Sequence, residues 1–271
     1  MLSNIPWYLT VPRDFFYPQP KRVIMSRKKK RLKIVDRQNF SNLIKKEDLK
    51  YIEPLTHNQQ EFFNFYRKGN KAILLHGVAG TGKTYIALYN AFKEILEDNS
   101  TYQKVIIVRS AVPSRDIGFL PGNEKEKTEV YSIPYQEICS ELFPRQGALT
   151  FKKLCEQGLV DFMITSYVRG LTLDNAIVIV DEAQNMNDME LNSIMTRIGK
   201  NSKIIFCGDF RQTDLSKRSD MSGLKKFMEI AKHMPTFRRI EFDVDDIVRS
   251  SLVREYILAR MAMEDMVLMA S

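Results

Sequence analysis

Eight consecutive residues, Gly77-Val78-Ala79-Gly80-Thr81-Gly82-Lys83-Thr84, have the spacing G-x-x-x-x-G-K-[ST], which suits the grip of a polyphosphate. Gly77, Gly80 and Gly82 let the backbone turn its N–H groups inward on phosphate oxygens, and a helix that follows adds its positive end. In such a loop Lys83 reaches the β and γ phosphates and Thr84 offers a hydroxyl to Mg²⁺. Later in the chain four apolar residues, Ile177-Val178-Ile179-Val180, run into two carboxylates, Asp181-Glu182. Asp181 is the candidate to hold Mg²⁺ through water, and Glu182 the candidate to polarise a water for attack on the γ-phosphate. A kinase of small molecules activates its acceptor differently, so Glu182 favours hydrolysis over phosphotransfer. A third apolar run ends in Gly208-Asp209-Phe210-Arg211-Gln212, where Gln212 is placed to touch the γ-phosphate and register its departure. The expected ligands are ATP and Mg²⁺.

These residues need a scaffold that delivers them to one edge. Ala72 to His76 is a short apolar run ahead of the glycine-rich loop, and Tyr85 to Leu96 has helical spacing, so strand, loop and helix follow in the order the loop requires. Similar runs recur at Lys104 to Val108, Asp161 to Thr165, Ala176 to Val180, Lys203 to Cys207 and Arg239 to Phe242. Helical stretches are predicted between and after them, at Glu126 to Leu142, Phe151 to Gln157, Asp188 to Ile198, Ser222 to His233 and Asp246 to Met263. Strands that read as continuous apolar runs are buried on both faces. The predicted fold is therefore α/β, a doubly wound, mostly parallel sheet whose ligands bind at the carboxyl ends of the strands. The methionines near the end, Met261, Met263, Met266 and Met269, read as a helix packing face.

The chain has 271 residues, 44% of them apolar, enough for a proper core, and disorder or a disulfide miniprotein is excluded for the whole. Its 41 Lys+Arg against 33 Asp+Glu are unevenly spread. Between Arg13 and Lys50 there are 13 basic and 4 acidic residues, whereas the remainder is nearly balanced at 28 against 29. Together with the prolines Pro6, Pro12, Pro18 and Pro20 and the aromatics Trp7, Tyr8, Phe15, Phe16 and Tyr17, this marks residues 1–55 as a basic arm ahead of a domain at 56–271. The run Arg27-Lys28-Lys29-Lys30-Arg31 reads either as a solvated charge run or as a contact to nucleic acid. Three cysteines, Cys139, Cys155 and Cys207, form no metal spacing and suit a reducing compartment. No stretch reaches the length of a membrane span, and Met1 to Pro12 lacks the features of a secretory signal, so a soluble cytoplasmic protein with no membrane partner is expected.

At these motifs the sequence resembles the PhoH family of P-loop ATPases, whose core is similar to the first motor domain of superfamily 1 helicases and is RecA-like. The resemblance runs from about Thr56 to Tyr256. Thr56-His57-Asn58-Gln59 looks like the family's glutamine motif, which implies that Gln59 reads the adenine edge. Arg109-Ser110-Ala111-Val112 and Gly118-Phe119-Leu120-Pro121-Gly122 match the segment after the second strand, and Tyr167-Val168-Arg169-Gly170 precedes the Asp181 strand. Asp181-Glu182-Ala183-Gln184-Asn185, Thr196-Arg197-Ile198-Gly199, Gly208-Asp209 with Gln212 and Asp214, and Ser222-Gly223-Leu224 follow in order, then Glu241-Phe242 and Asp246-Ile247-Val248-Arg249. Two positions depart from the family pattern, Ser110 where proline is frequent and Ser250 where histidine is. Some relatives carry a PIN nuclease domain; the residues before Thr56 are too few for one, so nuclease activity is not implied. The compact length with a short basic arm looks most like the PhoH-like proteins of large tailed phages, in which case the compartment is the bacterial host cytoplasm.

Superfamily 1 helicases clamp ATP between two motor domains, and this sequence has room for one. The resemblance therefore implies a homo-oligomeric ring, with a hexamer as the candidate size, in which a neighbour supplies an arginine. Arg249 is the first candidate, ahead of Arg211 and Arg169, with a surface ion pair to Asp245 or Asp246 as its plainer role. The leading expectation is an ATPase or helicase-type motor acting on single-stranded RNA or DNA, with Phe119 and Tyr131 available for stacking or for packing. A nucleotide-controlled assembly protein that does no work on nucleic acid is the alternative.

Overall fold

The computed structural model describes residues 43–110, 124–209 and 226–270. Six strands form one sheet: β1 (Ala72–Gly77), β2 (Lys104–Arg109), β3 (Val160–Ile164), β4 (Ala176–Asp181), β5 (Lys203–Gly208) and β6 (Phe237–Phe242). Their order is β3-β2-β4-β5-β1-β6, and every pairing is parallel. Helices α1 (His57–Arg67), α2 (Lys83–Ile95), α3 (Glu124–Leu142) and α4 (Thr150–Glu156) contribute to the core on one face. On the other lie α5 (Thr165–Val168), α6 (Asp188–Met195) and α7, residues 226–232. The last helix is α8 (Ser251–Ala270).

Alternation along each strand divides the core in two. Ile73, Leu75, Val105, Ile107, Ile177, Ile179 and Ile205 face α1 to α4, where Phe62, Phe92, Tyr135 and Phe143 pack. Leu74, Ile106, Val108, Val178, Val180 and Phe206 face α5 to α7. Side chains of successive residues point to opposite faces, so a strand covered by helices on both sides must be apolar along its covered length, as β4 is from Ala176 to Val180. The doubly wound parallel α/β sheet is thus the observed fold. The stretch ahead of α1 packs onto the first face through Ile44 and Ile52. Cys139 and Cys207 are buried and Cys155 is half-buried; burial pushes all three thiols up, Cys155 to about 11, which makes them poor nucleophiles.

Two predicted helices are shorter than expected, for identifiable reasons. The stretch Asp188 to Ile198 stops at Met195, because Leu173 donates its N–H to the Arg197 carbonyl at 2.8 Å and Ile198 bridges to Leu173. The stretch Asp246 to Met263 does not begin until Ser251. Val244–Asp246 is a 3₁₀ turn capped by Asp243, and Val248 then gives its N–H to the Gly80 carbonyl at 3.1 Å, so backbone that periodicity assigned to a helix is spent on the glycine-rich loop. Of the helix predicted from Ser222 to His233, residues 226–232 are helical and the start lies outside the described residues.

The sheet edge also dictates one glycine. Gly77 has φ of +117°, and a Cβ there would sit 2.0 Å from the Phe242 carbonyl oxygen at the end of β6. Gly77→Ala is expected to cost about 3 kcal/mol or more of folding stability, combining a positive-φ penalty with a backbone clash, and to lower the midpoint of a urea titration accordingly. A variant as stable as the parent would contradict this packing.

Candidate functional site

Parallel register brings the carboxyl ends of five strands to one edge, at Gly77, Arg109, Asp181, Gly208 and Phe242. A cavity of about 810 Å³ opens there, lined by Gln59, Lys83, Thr84, Asp181, Glu182 and Arg249 among others. The residues 77–84 wrap around its base. Gly80 and Gly82 take positive φ of +77° and +79°, and a Cβ on Gly80 would lie 3.0 Å from the Arg249 Cγ. Val78 donates its N–H to the Phe242 carbonyl at 2.9 Å, and Thr81 donates its hydroxyl to the Val78 carbonyl at 3.1 Å. Ala79 lines the cavity between them. The loop ends at Gly82, the N-cap of α2, where no side chain caps the first amides. Open helix N–H groups beside glycines form a cradle for an anion.

Lys83 is 9% exposed and donates to the Gly77 carbonyl at 3.1 Å, the Val78 carbonyl at 2.6 Å and the Thr81 hydroxyl at 3.2 Å. Burial pushes its pKa down, while Asp209, Glu182 and Asp181 act the other way. The lysine charge is therefore held inside the loop by neutral carbonyls, with carboxylates close enough to matter.

Asp181 ends β4 and is held at both oxygens. The Thr84 hydroxyl donates to Oδ1 at 2.7 Å, and the Tyr135 hydroxyl, from a fully buried ring on α3, donates to Oδ2 at 2.8 Å. An oxygen pair from Thr84 and Asp181 suits a hard divalent cation that shares its shell with phosphates. Among the described residues no cluster of three or more His, Cys, Asp or Glu could hold a metal ion. Burial and then the Asp181 charge raise the pKa of Glu182, opposed by a hydrogen bond from Gln184 and by Arg109 and Lys83. Arg109 pairs in register with Asp181 and lines the same cavity.

Glu182 has φ of +52°, a left-handed conformation that turns the chain at once into the 3₁₀ turn Ala183–Asn185. That turn places Gln184, which is 5% exposed, between two motifs. Its Nε2 donates to Glu182 Oε2 at 2.5 Å and its Oε1 accepts the Asp209 N–H at 3.0 Å. Gln59 is 2% exposed; it accepts the Leu55 N–H at 2.8 Å and donates to the Thr81 carbonyl at 3.0 Å, leaving one amide proton for the cavity.

The candidates read from sequence thus converge, with exceptions. Arg249 lies over the glycine loop of its own chain; Asp245 pairs instead with Arg254, at 3.6 Å, and Asp246 accepts from Asn58 at 2.7 Å. Arg169 is exposed after α5, away from the cavity lining, and Tyr131 is half-buried outside that lining. Gln212, Arg211 and Phe119 lie outside the described residues. Two residues were missed. Gln184 stands inside a motif whose spacing announces only the carboxylates, and Tyr135 is 46 residues from Asp181 with no local signal. Tyr135→Phe removes a buried donor from a carboxylate and is expected to cost about 2 kcal/mol in a urea titration, with the fold retained. An unchanged midpoint would mean that Asp181 does not depend on that hydroxyl.

The sequence profile of the family described as PhoH-like protein matches residues 51–260. A PhoH-like protein of Bacillus subtilis (strain 168) is 35% identical over 248 residues, covering 91% of this chain and 74% of that protein. Protein PhoH of Escherichia coli (strain K12) is 34% identical over 189 residues, covering 68% of this chain and 51% of that protein. Among solved structures, the large terminase of a thermophilic bacteriophage is similar over 75% of this chain and 50% of that one, at 13% identity and a TM-score of 0.44. Among the described residues no helix is long and apolar enough to cross a membrane. With a profile match over most of its length and a relative 35% identical along 91% of it, this chain belongs to the PhoH-like protein family.

Proposed function

We propose that the chain binds ATP with Mg²⁺ and hydrolyses it, that single-stranded RNA or DNA couples to turnover, and that copies of the chain assemble to complete the cleft. The observation that carries this reading is the meeting of Lys83, Thr84, Asp181 and Glu182 at one sheet edge, with Thr84 and Asp181 in a 2.7 Å hydrogen bond. In it the loop amides and the open start of α2 receive the β and γ phosphates, and Lys83 exchanges loop carbonyls for phosphate oxygens. Mg²⁺, when bound at Thr84 and Asp181, neutralises charge across those phosphates. Glu182 takes the proton of the attacking water, steadied by the Gln184 amide. Gln212 reports on the γ-phosphate, and Gln184 links the Asp209 amide to Glu182. Gln59 contributes its remaining amide proton to the adenine edge.

Arg249 lies over its own glycine loop, which favours phosphate contact within one copy. Arg169, exposed after α5, is the described candidate for reaching a neighbour. Nucleic acid is favoured by the charge of residues 1–55, the proposed basic arm ahead of the ATPase domain at 56–271.

The test is steady-state ATP hydrolysis by the full chain, with and without single-stranded RNA and DNA at two salt concentrations. Glu182→Gln is expected to abolish turnover while ATP still binds, and Arg249→Ala to lower it by about 10³-fold if the residue acts as an arginine finger does. A base must be ionised to act. With the Glu182 pKa raised, activity is expected to fall with acid at a pH above that of an ordinary glutamate. Hydrolysis surviving in Glu182→Gln would overturn the catalytic assignment. Turnover indifferent to both polymers would replace the motor by ATP-controlled assembly.

A further inference from the structure

Helix α8 carries apolar residues on more than one side, yet much of its surface faces water. Leu252 is 73% exposed, Tyr256 65%, Met263 69% and Met266 69%. A helix apolar on several sides normally lies inside a core, so one left open requires a cover. The pattern specifies which kind. Leu252, Tyr256, Ala259, Met263 and Met266 recur at alternating spacings of four and three, the a and d positions of a left-handed coiled coil, for about two heptads. Ile257 and Met261, the half-buried residues between them, point roughly 150° away from that seam at 100° per residue. Ile257 faces the glycine loop, 3.3 Å from where a Cβ on Gly80 would stand. One side of α8 therefore rests on its own domain, and the heptad seam lies on the opposite side.

We propose that α8 is a self-association helix, pairing in parallel along this seam with α8 of a second copy. The flanking charges favour that occupant. With Tyr256 and Met263 at a, Glu255 falls at g and Arg260 at the following e. In a parallel, in-register pair these positions meet across the interface, so Glu255 of each copy lies against Arg260 of the other, twice by symmetry. An antiparallel pair centred on the same seam does not bring them together. The small Ala259 layer next to the Tyr256 layer gives the two rings room. A lipid surface is disfavoured because the helix carries Arg254 and Arg260 against Glu255, Glu264 and Asp265, no basic excess for anionic headgroups. Parallel pairing also keeps both domains at the end where α8 leaves Arg249 and the cavity. This pairing stands independently of the proposed ATPase activity; a closed ring would need a second, different contact.

The test is sedimentation of the full chain from about 1 to 100 µM without nucleotide or nucleic acid. The wild type is expected to associate. Leu252→Glu combined with Met263→Glu, both at exposed positions where folding is little affected, is expected to weaken association by about 10-fold or more, with circular dichroism and melting temperature retained. Glu255→Arg alone is expected to weaken it, and adding Arg260→Glu to restore it. Ala259→Cys is expected to form an interchain disulfide under mild oxidation that the parent chain, with Cys139 and Cys207 buried and Cys155 half-buried, does not form. A wild type that stays monomeric throughout, whether its seam is then covered by residues 1–42 or by anionic vesicles, overturns the proposal. So does an assembly state indifferent to the double glutamate change. Failure of the charge reversal to restore association overturns the parallel register.

Discussion

The hydrogen bond from Thr84 to Asp181 is the tie on which the site depends, because it joins two segments 97 residues apart that the sheet does not pair directly. Thr84 stands in the first turn of α2, after the loop that leaves β1; Asp181 ends β4, with β5 between the two strands. Parallel register alone brings the strand ends to one edge, but only within the scatter of loop geometry. A 2.7 Å contact fixes the loop-helix unit against the carboxylate strand, and Tyr135 closes the other side of the same carboxyl group. Asp181 thus has one orientation, and Thr84 presents its oxygen next to it. Pre-positioned groups of this kind spare reorganisation at the moment of reaction.

This arrangement works against stability in places. Lys83, Asp181 and Glu182 are charges withdrawn from water, and burial is the leading influence on both the lowered lysine and the raised glutamate. Glu182 adds backbone strain of about 1 kcal/mol or more at a positive φ, which a side chain with a β-carbon adopts only when its surroundings hold it there. What holds it is Gln184. The strained turn is what brings Gln184 round to clasp Glu182 and the Asp209 amide at once, so strain and clasp form one device. Through it, the end of β5 reads the position of the carboxylate at the end of β4.

Strands and glycine loop were legible because their causes are local. Doubly buried strands must be apolar along their covered length, and a loop that wraps an anion must carry glycine at fixed intervals, so β1, β4 and the residues between Gly77 and Thr84 declare themselves in short windows. Asp181 and Glu182 could be read because the apolar run stops at them. Tyr135 could not, since a hydroxyl that matters only to a carboxylate 46 residues away leaves no trace in spacing. The late start of α8 was hidden for a related reason. Residues 247–250 have helical periodicity, but the Gly80 carbonyl takes the Val248 N–H, and tertiary contact overrides local preference. Arg249 was legible as a residue of the site, and the structure sets it over the glycine loop of its own copy, beside the cavity.

That segment links the two ends of the argument. Val248 binds the glycine loop through its backbone, Arg249 covers Gly80, and two residues later α8 begins, with Ile257 still in reach of the same loop. Any force on α8 is therefore transmitted to the phosphate cradle through a few rigid bonds and not through a long linker. A helix covered on its outer side by another copy would hold residues 247–250 in place, and with them Arg249. Conversely, phosphate in the cradle would pull on Arg249 and settle the root of the helix. If α8 pairs as proposed, occupancy of the loop and pairing of α8 are coupled through this segment, and a coupling free energy between two sites acts equally in both directions.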